Sequence, residues 1–129
     1  MLEKMVYRKK RDTEMIGRGN FEGYEWGIVS YGTHPCAYIL IEPGHELYKA
    51  DYSRNYDLYS GLDVHGGITY TEAGLHDFVD SDYWVIGWDY NHLGDYNAMT
   101  PNAADHKYTT DEIFGDIVDC IGRLKFLYD

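Results

Sequence analysis

The sequence predicts an α+β domain in which an antiparallel sheet of about four strands is covered by a C-terminal helix. Short runs of aromatic and β-branched residues alternate with polar ones, which is typical of half-buried strands. Glycine and proline punctuate these runs, and the last twenty residues carry apolar side chains at helical spacing instead. With 129 residues, of which 44% are apolar, the chain is long enough for one packed domain.

The first predicted element is a basic N-terminal arm, residues 1–22, followed by a single domain over 23–129. Residues 1–20 hold six of the eleven Lys and Arg residues and only three acidic ones. Residues 21–129 hold five basic and nineteen acidic residues, a net charge of −14. A body this acidic repels phosphates and disfavours direct nucleic-acid binding. It suits a soluble protein, a basic protein partner or a cation site.

Two strands of a hairpin open the domain. Residues 24–31 (YEWGIVSY) alternate in polarity, and residues 36–41 (CAYILI) form the predicted partner strand. The intervening Gly32-Thr33-His34-Pro35 has the chemistry of a turn.

The next segment is less regular. Residues 45–51 predict a short helix, and the polar, tyrosine-rich residues 51–61 predict a surface loop, whose rings serve either the core or a recognition surface. Residues 68–71 predict a short strand. Residues 82–89 predict the strongest strand, with Trp84, Ile86 and Trp88 on one face.

The chain then enters a long predicted loop, residues 90–108, which contains Asn, Gly, Pro and Asp without periodicity. Thr109 and Glu112 have the spacing of a capping box and mark the start of the C-terminal helix. An apolar stripe follows at helical steps and should pack on the sheet. It comprises Ile113, Ile117, Ile121, Leu124 and Tyr128, widened by Phe114, Val118 and Leu127.

Cys36 and Cys120 lie far apart in the sequence, one in a predicted strand and one in a predicted helix. No basic-then-apolar leader opens the chain, and no apolar run is long enough to span a membrane. We therefore expect a soluble cytoplasmic protein whose two thiols are reduced and structural.

Three clusters carry residues capable of chemistry, and each follows or ends a predicted strand. They are Pro43-Gly44-His45-Glu46, Asp63-Val64-His65-Gly66-Gly67 and the segment Asp89 to Asp95, which includes His92. Gly66 and Gly67 would let the backbone adopt positive φ or approach another group closely.

These clusters suggest a metal site at one end of the sheet. Its candidate ligands are Asp63, His65, Asp89, His92 and Asp95, a mixed set of imidazoles and carboxylates that suits Zn, Mn, Fe or Ni. Such an ion could activate water, with His45 as a general acid or base. A metal-free pocket or purely structural roles are the alternatives.

The clusters also make a geometric prediction. His45, His65 and His92 should converge on one concave patch, because each lies beside a Gly or Pro that breaks a strand. His34, His76 and His106 have no partner pattern and are predicted at the surface. No Walker loop, Rossmann fingerprint, nucleophile elbow or zinc-finger spacing occurs in the sequence.

The segments EPGHELY (42–48), LDVHGGITYT (62–71), WVIGWDYNHLGDY (84–96) and TTDEIFGDIVDCIGRL (109–124) together show a family resemblance. The chain resembles, over roughly residues 23–127, a group of small uncharacterised proteins encoded by bacteriophages and prophages of Gram-positive hosts. The resemblance implies a shared polar set and no mechanism. That set is His45, His65, Gly66, Gly67, Asp89, His92 and Asp95.

Two functional hypotheses follow. The first is a phage-derived accessory protein that counters host defence, of the anti-CRISPR or a similar type, by binding a host protein or a small nucleotide in the host cytoplasm. The second is a metal-dependent hydrolase or phosphoesterase that uses the Asp/His cluster. A virion or assembly component is disfavoured because the sequence contains no coiled coil or repeat.

Overall fold

The computed structural model describes residues 13–129, and these contain five strands and two helices. The strands are β1 Glu14–Phe21, β2 Tyr24–Ser30, β3 Pro35–Ile41, β4 Tyr70–Leu75 and β5 Val79–Asp89. The helices are α1 Tyr56–Tyr59, which continues into a 3-10 turn at Ser60–Leu62, and α2 Thr110–Tyr128. None of the helices in residues 13–129 is long and apolar enough to cross a membrane.

The strands form one sheet in the order β1-β2-β3-β5-β4, and every neighbouring pair is antiparallel. The predicted α+β class with a C-terminal helix is therefore confirmed. The sheet has five strands where the sequence predicts about four.

The additional strand is β1, which lies within the segment predicted as the N-terminal arm. It pairs with β2 from Glu14, opposite Ser30, to Phe21, opposite Tyr24. Its glycines resemble a linker, yet they face Trp26: a Cβ on Gly19 would lie 3.0 Å from the Trp26 ring. The glycines thus make room for an indole on the neighbouring strand. Residues 1–12 of the predicted arm lie outside the described residues.

Helix α2 packs on one face of the sheet and builds the main core. The predicted stripe is buried at four of its five positions, while Leu127 is 46% exposed. Trp84, Ile86 and Trp88 contribute to this same core, as the alternation of β5 predicts. The buried members of the helix stripe are Ile113, Ile117, Ile121 and Leu124.

The start of α2 is fixed by its predicted capping box. The Thr109 hydroxyl accepts the backbone N–H of Glu112, and the Glu112 carboxylate accepts the backbone N–H of Thr109. These two bonds satisfy donors that the first helical turn leaves without partners.

The opposite face of the sheet carries a second, smaller cluster that includes Val29, Tyr38, Leu40 and Val85. Cys36 lies in this cluster, whereas Cys120 lies in the helix-side core. Both thiols are free, and burial raises the pKa of each to about 12. Both are therefore protonated at neutral pH and unreactive.

The connections differ most from prediction. Residues 45–51 form consecutive turns instead of a short helix, and the predicted loop 51–61 contains α1. The predicted strand at 68–71 begins later and extends further, as β4. Residues 90–108 form the predicted long loop, crossed by one isolated bridge between Asp95 and His106.

Candidate metal centre

The candidate site lies where β5 ends at Asp89 and the chain enters the long loop. The segment 63–69, just before β4, folds against this end of the sheet, because the N–H of Thr69 donates to the carbonyl of Gly87 at 3.0 Å. A turn closed by the Gly67 N–H and the Val64 carbonyl, 2.9 Å apart, then presents His65 to the loop after β5. Two segments distant in sequence are thus placed side by side.

Two imidazoles and a carboxylate meet at this point. The Nε2 atom of His65 lies 2.8 Å from Oδ2 of Asp95, and Nδ1 of His92 lies 3.3 Å from the same oxygen. The centroids of the two imidazole rings are 5.3 Å apart. One ligand atom from each of the three residues lies within 4.8 Å of the others.

Asp95 is the fixed member of this cluster. Its side chain is 6% exposed, and its Oδ2 also accepts the backbone N–H of His92 at 3.0 Å. Burial would raise the pKa of Asp95, but the hydrogen bonds from His65 and from the His92 backbone outweigh it and hold the pKa below its usual value. The carboxylate is therefore ionised at neutral pH, as a metal ligand must be.

Asp89 lies beside the cluster and is more exposed than Asp95. Its Oδ1 is 3.5 Å from Nε2 of His92, and its side chain is 31% exposed. The hydroxyl of Thr69 donates to the Asp89 carboxylate at 3.3 Å, and the backbone N–H of Asn91 donates at 3.2 Å. These contacts hold a second carboxylate beside Nε2 of His92, whereas Nδ1 of the same ring faces Asp95.

Gly66 lets the two segments approach. Its φ is +71°, and a Cβ at this position would lie 2.2 Å from Cε1 of the His92 ring. The neighbouring Gly67 has a φ of +82°, but a Cβ there would have no neighbour within 4 Å. Gly66 therefore serves both roles expected of the glycine pair, and Gly67 serves only the turn.

The His65 ring is oriented by tyrosines that are not among the predicted site residues. Tyr90 stacks on it with centroids 4.8 Å apart and planes at 12°, and the ring of Tyr108 lies 5.0 Å away. The Tyr90 hydroxyl accepts the Trp88 indole N–H at 3.0 Å and donates to Asp116 at 2.6 Å. Burial and the Asp116 hydrogen bond raise the pKa of Tyr90. The imidazole is thus held by rings fixed in the core.

His45 does not join this cluster, so the predicted convergence of three histidines is wrong. Its Nε2 is 3.0 Å from the hydroxyl of Tyr24, its Nδ1 accepts the N–H of Leu47, and its ring lies 5.5 Å from that of Tyr128. Tyr108 precedes α2 and Tyr128 ends it, and a helix of this length places its ends about 27 Å apart.

Strand direction explains the separation. β3 and β5 are antiparallel, with Cys36 opposite Asp89 and Ile41 opposite Trp84. The segment after β3, which carries His45, therefore leaves the sheet at the opposite end from the segment after β5. Both segments follow a strand, but the two strands run in opposite directions and finish at opposite ends of the sheet.

Asp63 also lies apart from the cluster. It has a φ of +48°, its side chain is 84% exposed, and its carboxylate approaches Arg123 at 3.9 Å. Of the five candidate ligands, the structure thus gathers His65, His92 and Asp95, places Asp89 beside them and excludes Asp63.

The remaining histidines have local partners that the sequence does not reveal. Nε2 of His106 pairs with Glu112 at 2.7 Å, and Nε2 of His76 contacts the hydroxyl of Tyr31 at 2.8 Å. Nδ1 of His34 contacts the hydroxyl of Thr33 at 2.9 Å. Both His76 and His106 are exposed, whereas His34 is half-buried.

No family model matches the chain, and neither the curated proteins nor the solved structures contain a match. The function is therefore argued from the geometry of the site.

Proposed function

We propose that the protein is a metal-dependent hydrolase that binds a divalent transition-metal ion through His65, His92 and Asp95. The observation that carries this proposal is the convergence of the three ligand atoms within 4.8 Å of one another. Two imidazoles and one carboxylate form a donor set that suits zinc, manganese, iron and nickel.

The dimensions of the cluster fit such an ion. Zinc binds nitrogen and oxygen ligands at about 2.0 to 2.2 Å, so tetrahedral ligand atoms lie about 3.4 Å apart. The 2.8 Å hydrogen bond between His65 and Asp95 would open by about half an ångström to admit the ion. The distance of 3.3 Å from His92 to Asp95 already has this length.

Three protein ligands leave a coordination position for water, which is the arrangement of catalytic zinc sites. A bound ion would lower the pKa of that water to near neutrality. Asp89, held by Thr69 and the Asn91 backbone, lies at Nε2 of His92, so it would orient this imidazole while Nδ1, which faces Asp95, binds the ion. The stacked Tyr90 ring keeps the His65 imidazole in a fixed orientation.

Calorimetric titration of metal-free protein with Zn²⁺ and Mn²⁺ tests the metal site. We expect one ion per chain, with affinity at least 100-fold weaker in His92→Ala, because one of three ligands is lost. His76→Ala is the matched control, since His76 is exposed and contacts Tyr31 away from the cluster. The absence of stoichiometric binding in the wild type would disprove the proposal.

Hydrolysis requires a separate assay, for which bis-p-nitrophenyl phosphate and p-nitrophenyl phosphate are suitable probes. We expect turnover that depends on added metal and falls at least tenfold in Asp89→Asn, because loss of a carboxylate that orients a metal-ligating imidazole typically costs about 10- to 100-fold in activity or metal affinity. Metal binding without turnover of either ester would leave a metal-binding protein and contradict the enzymatic part of the proposal.

The charge of the chain supports a second candidate, the phage accessory protein that binds a host component. Residues 21–129 carry a net charge of −14, and exposed acids occur on α2, at Asp111 and Asp119, as well as on the β4–β5 hairpin. We propose that such a surface competes with nucleic acid for the basic groove of a host nuclease in the cytoplasm.

This candidate is tested with host lysate and immobilised protein. We expect a nuclease to be retained at low salt and released as the ionic strength rises from about 0.05 to about 0.5 M, since screening weakens exposed charge pairs. Asp111→Lys/Asp119→Lys should retain less of it than wild type. Retention that is unchanged by salt and by charge reversal would contradict an electrostatic competitor.

A further inference from the structure

A groove of about 300 Å³ lies beside the metal cluster and is separated from it by aromatic rings. It runs between the β2–β3 turn, the loop after β5 and the segment that leads into α2. Tyr90 and Tyr108 line the groove and also pack against His65. The groove and the metal cluster therefore share a wall but present different side chains.

The charge of the groove differs from that of the molecule. Acidic residues make up 22 of the 129 positions, about one in six, so a wall of this size would carry about two of them by chance. The residues that line the groove include no Asp or Glu, and they do include Lys107, His34 and His106. Glu112 does not line the groove, but its carboxylate pairs with His106 and would neutralise a charge on that ring. Lys107 is therefore the cation that the groove offers to a ligand.

The lining also offers hydroxyl donors and aromatic surfaces. Ser30 and Thr33 place hydroxyl groups on the β2–β3 side. The rings of Tyr96 and Tyr108 also line the groove, and Nζ of Lys107 lies 5.1 Å from the centroid of the Tyr96 ring. A cation held over an aromatic ring, in a groove that also carries hydroxyl groups, offers one partner for an anion and one for a planar group.

We propose that this groove binds a mononucleotide, with its phosphate toward Lys107 and Thr33 and its base against the tyrosine rings. A cavity of this volume lies at the lower end of small-molecule sites, which matches a ligand of that size. The acid-free wall admits a phosphate that the rest of the surface repels. Binding does not require the metal, because none of the cluster residues His65, His92 and Asp95 lines the groove.

Calorimetric titration of metal-free protein in EDTA tests the inference with AMP and CMP as nucleotide probes and with adenosine and inorganic phosphate as fragments. We expect at least one nucleotide to bind at least tenfold more tightly than either fragment. Lys107→Gln should weaken nucleotide binding about tenfold, the loss of one charged contact, and leave adenosine binding unchanged. Lys107 is exposed, so the substitution should not disturb folding.

The controls separate this inference from the metal proposal. Lys49→Gln removes another exposed lysine that does not line the groove, and it should leave nucleotide affinity unchanged. His92→Ala should weaken metal binding at least 100-fold and retain nucleotide binding. The inference is overturned if neither nucleotide binds below about 1 mM, if phosphate alone binds as tightly as the nucleotides, or if the two lysine variants behave alike.

Discussion

The two ends of helix α2 each hold a histidine between tyrosine rings, and the comparison shows what makes a ligand cluster. At the first end His65 packs against Tyr90 and Tyr108, and at the second end His45 packs against Tyr24 and Tyr128. Aromatic packing orients both imidazoles. It does not by itself assemble a site.

The difference lies in the polar partners. His65 meets a second imidazole and the buried carboxylate of Asp95, while His45 is satisfied by a tyrosine hydroxyl and one backbone N–H. The exposed Asp129 carboxylate accepts the hydroxyl of Tyr24, the tyrosine that contacts His45. A histidine with satisfied neutral partners stabilises the fold, and one that shares a buried carboxylate with another imidazole can hold an ion.

The largest loss of stability is expected for Gly66→Ala, which should disrupt the cluster of His65, His92 and Asp95 at the first end of α2. The new methyl group would displace the His92 ring, and the left-handed backbone adds about 1 to 2 kcal/mol of strain. We expect a loss of about 3 kcal/mol in the free energy of unfolding, measured with urea, together with loss of metal binding.

Gly67→Ala is the matched control for that substitution. It has similar backbone strain, but its methyl group meets nothing within 4 Å, so we expect a loss of about 1 kcal/mol with metal binding retained. Equal losses in the two variants would show that the contact between Gly66 and His92 is unimportant.

Asp95→Asn should have the next largest effect, because it removes the charge on which the His65 end depends. We expect a loss of about 2 kcal/mol at pH 7, typical of hydrogen bonds to a charged group. The depressed pKa of Asp95 means that its carboxylate stabilises the folded state above the unfolded pKa, near 4.

The pH dependence gives the measurement for Asp95. The stability difference between wild type and Asp95→Asn should be full at pH 6 and shrink as the pH falls below about 4, because the Asp95 carboxyl of the unfolded chain takes up a proton before that of the folded state. A difference that stays constant from pH 6 to pH 3 would mean that the charge of Asp95 contributes nothing to the fold.

Much of the fold could be predicted because its signals are local. The capping box at Thr109 and Glu112, the alternation of β5 and the turn before β3 each depend on neighbouring residues. β1 could not be found in this way, because its glycines make sense only opposite Trp26 on the adjacent strand. Pairing between strands is a tertiary property.

The same distinction applies to the candidate site. Asp89, His92 and Asp95 lie close together in sequence, and any loop that leaves β5 keeps them near one another. The approach of His65 requires the β4–β5 pairing, and the exclusion of His45 requires the neighbour of β3 to be known. Tyr108 and Asp116 enter the site from α2 and its approach, which no short motif marks.

The smallest effect is expected for His45→Gln, which tests the opposite end of the comparison. Burial lowers the pKa of His45, although Asp129 and Glu46 oppose this, so the folded state favours the neutral ring. The unfolded chain then binds more protons below its usual pKa near 6.5, and the wild type should lose stability, by less than about 1 kcal/mol, between pH 7 and pH 5. His45→Gln should lower stability at pH 7 by about 1 kcal/mol, flatten that dependence and leave metal affinity unchanged, as urea unfolding and zinc titration will measure. A weaker zinc affinity in this variant would contradict the assignment of His45 to the fold alone.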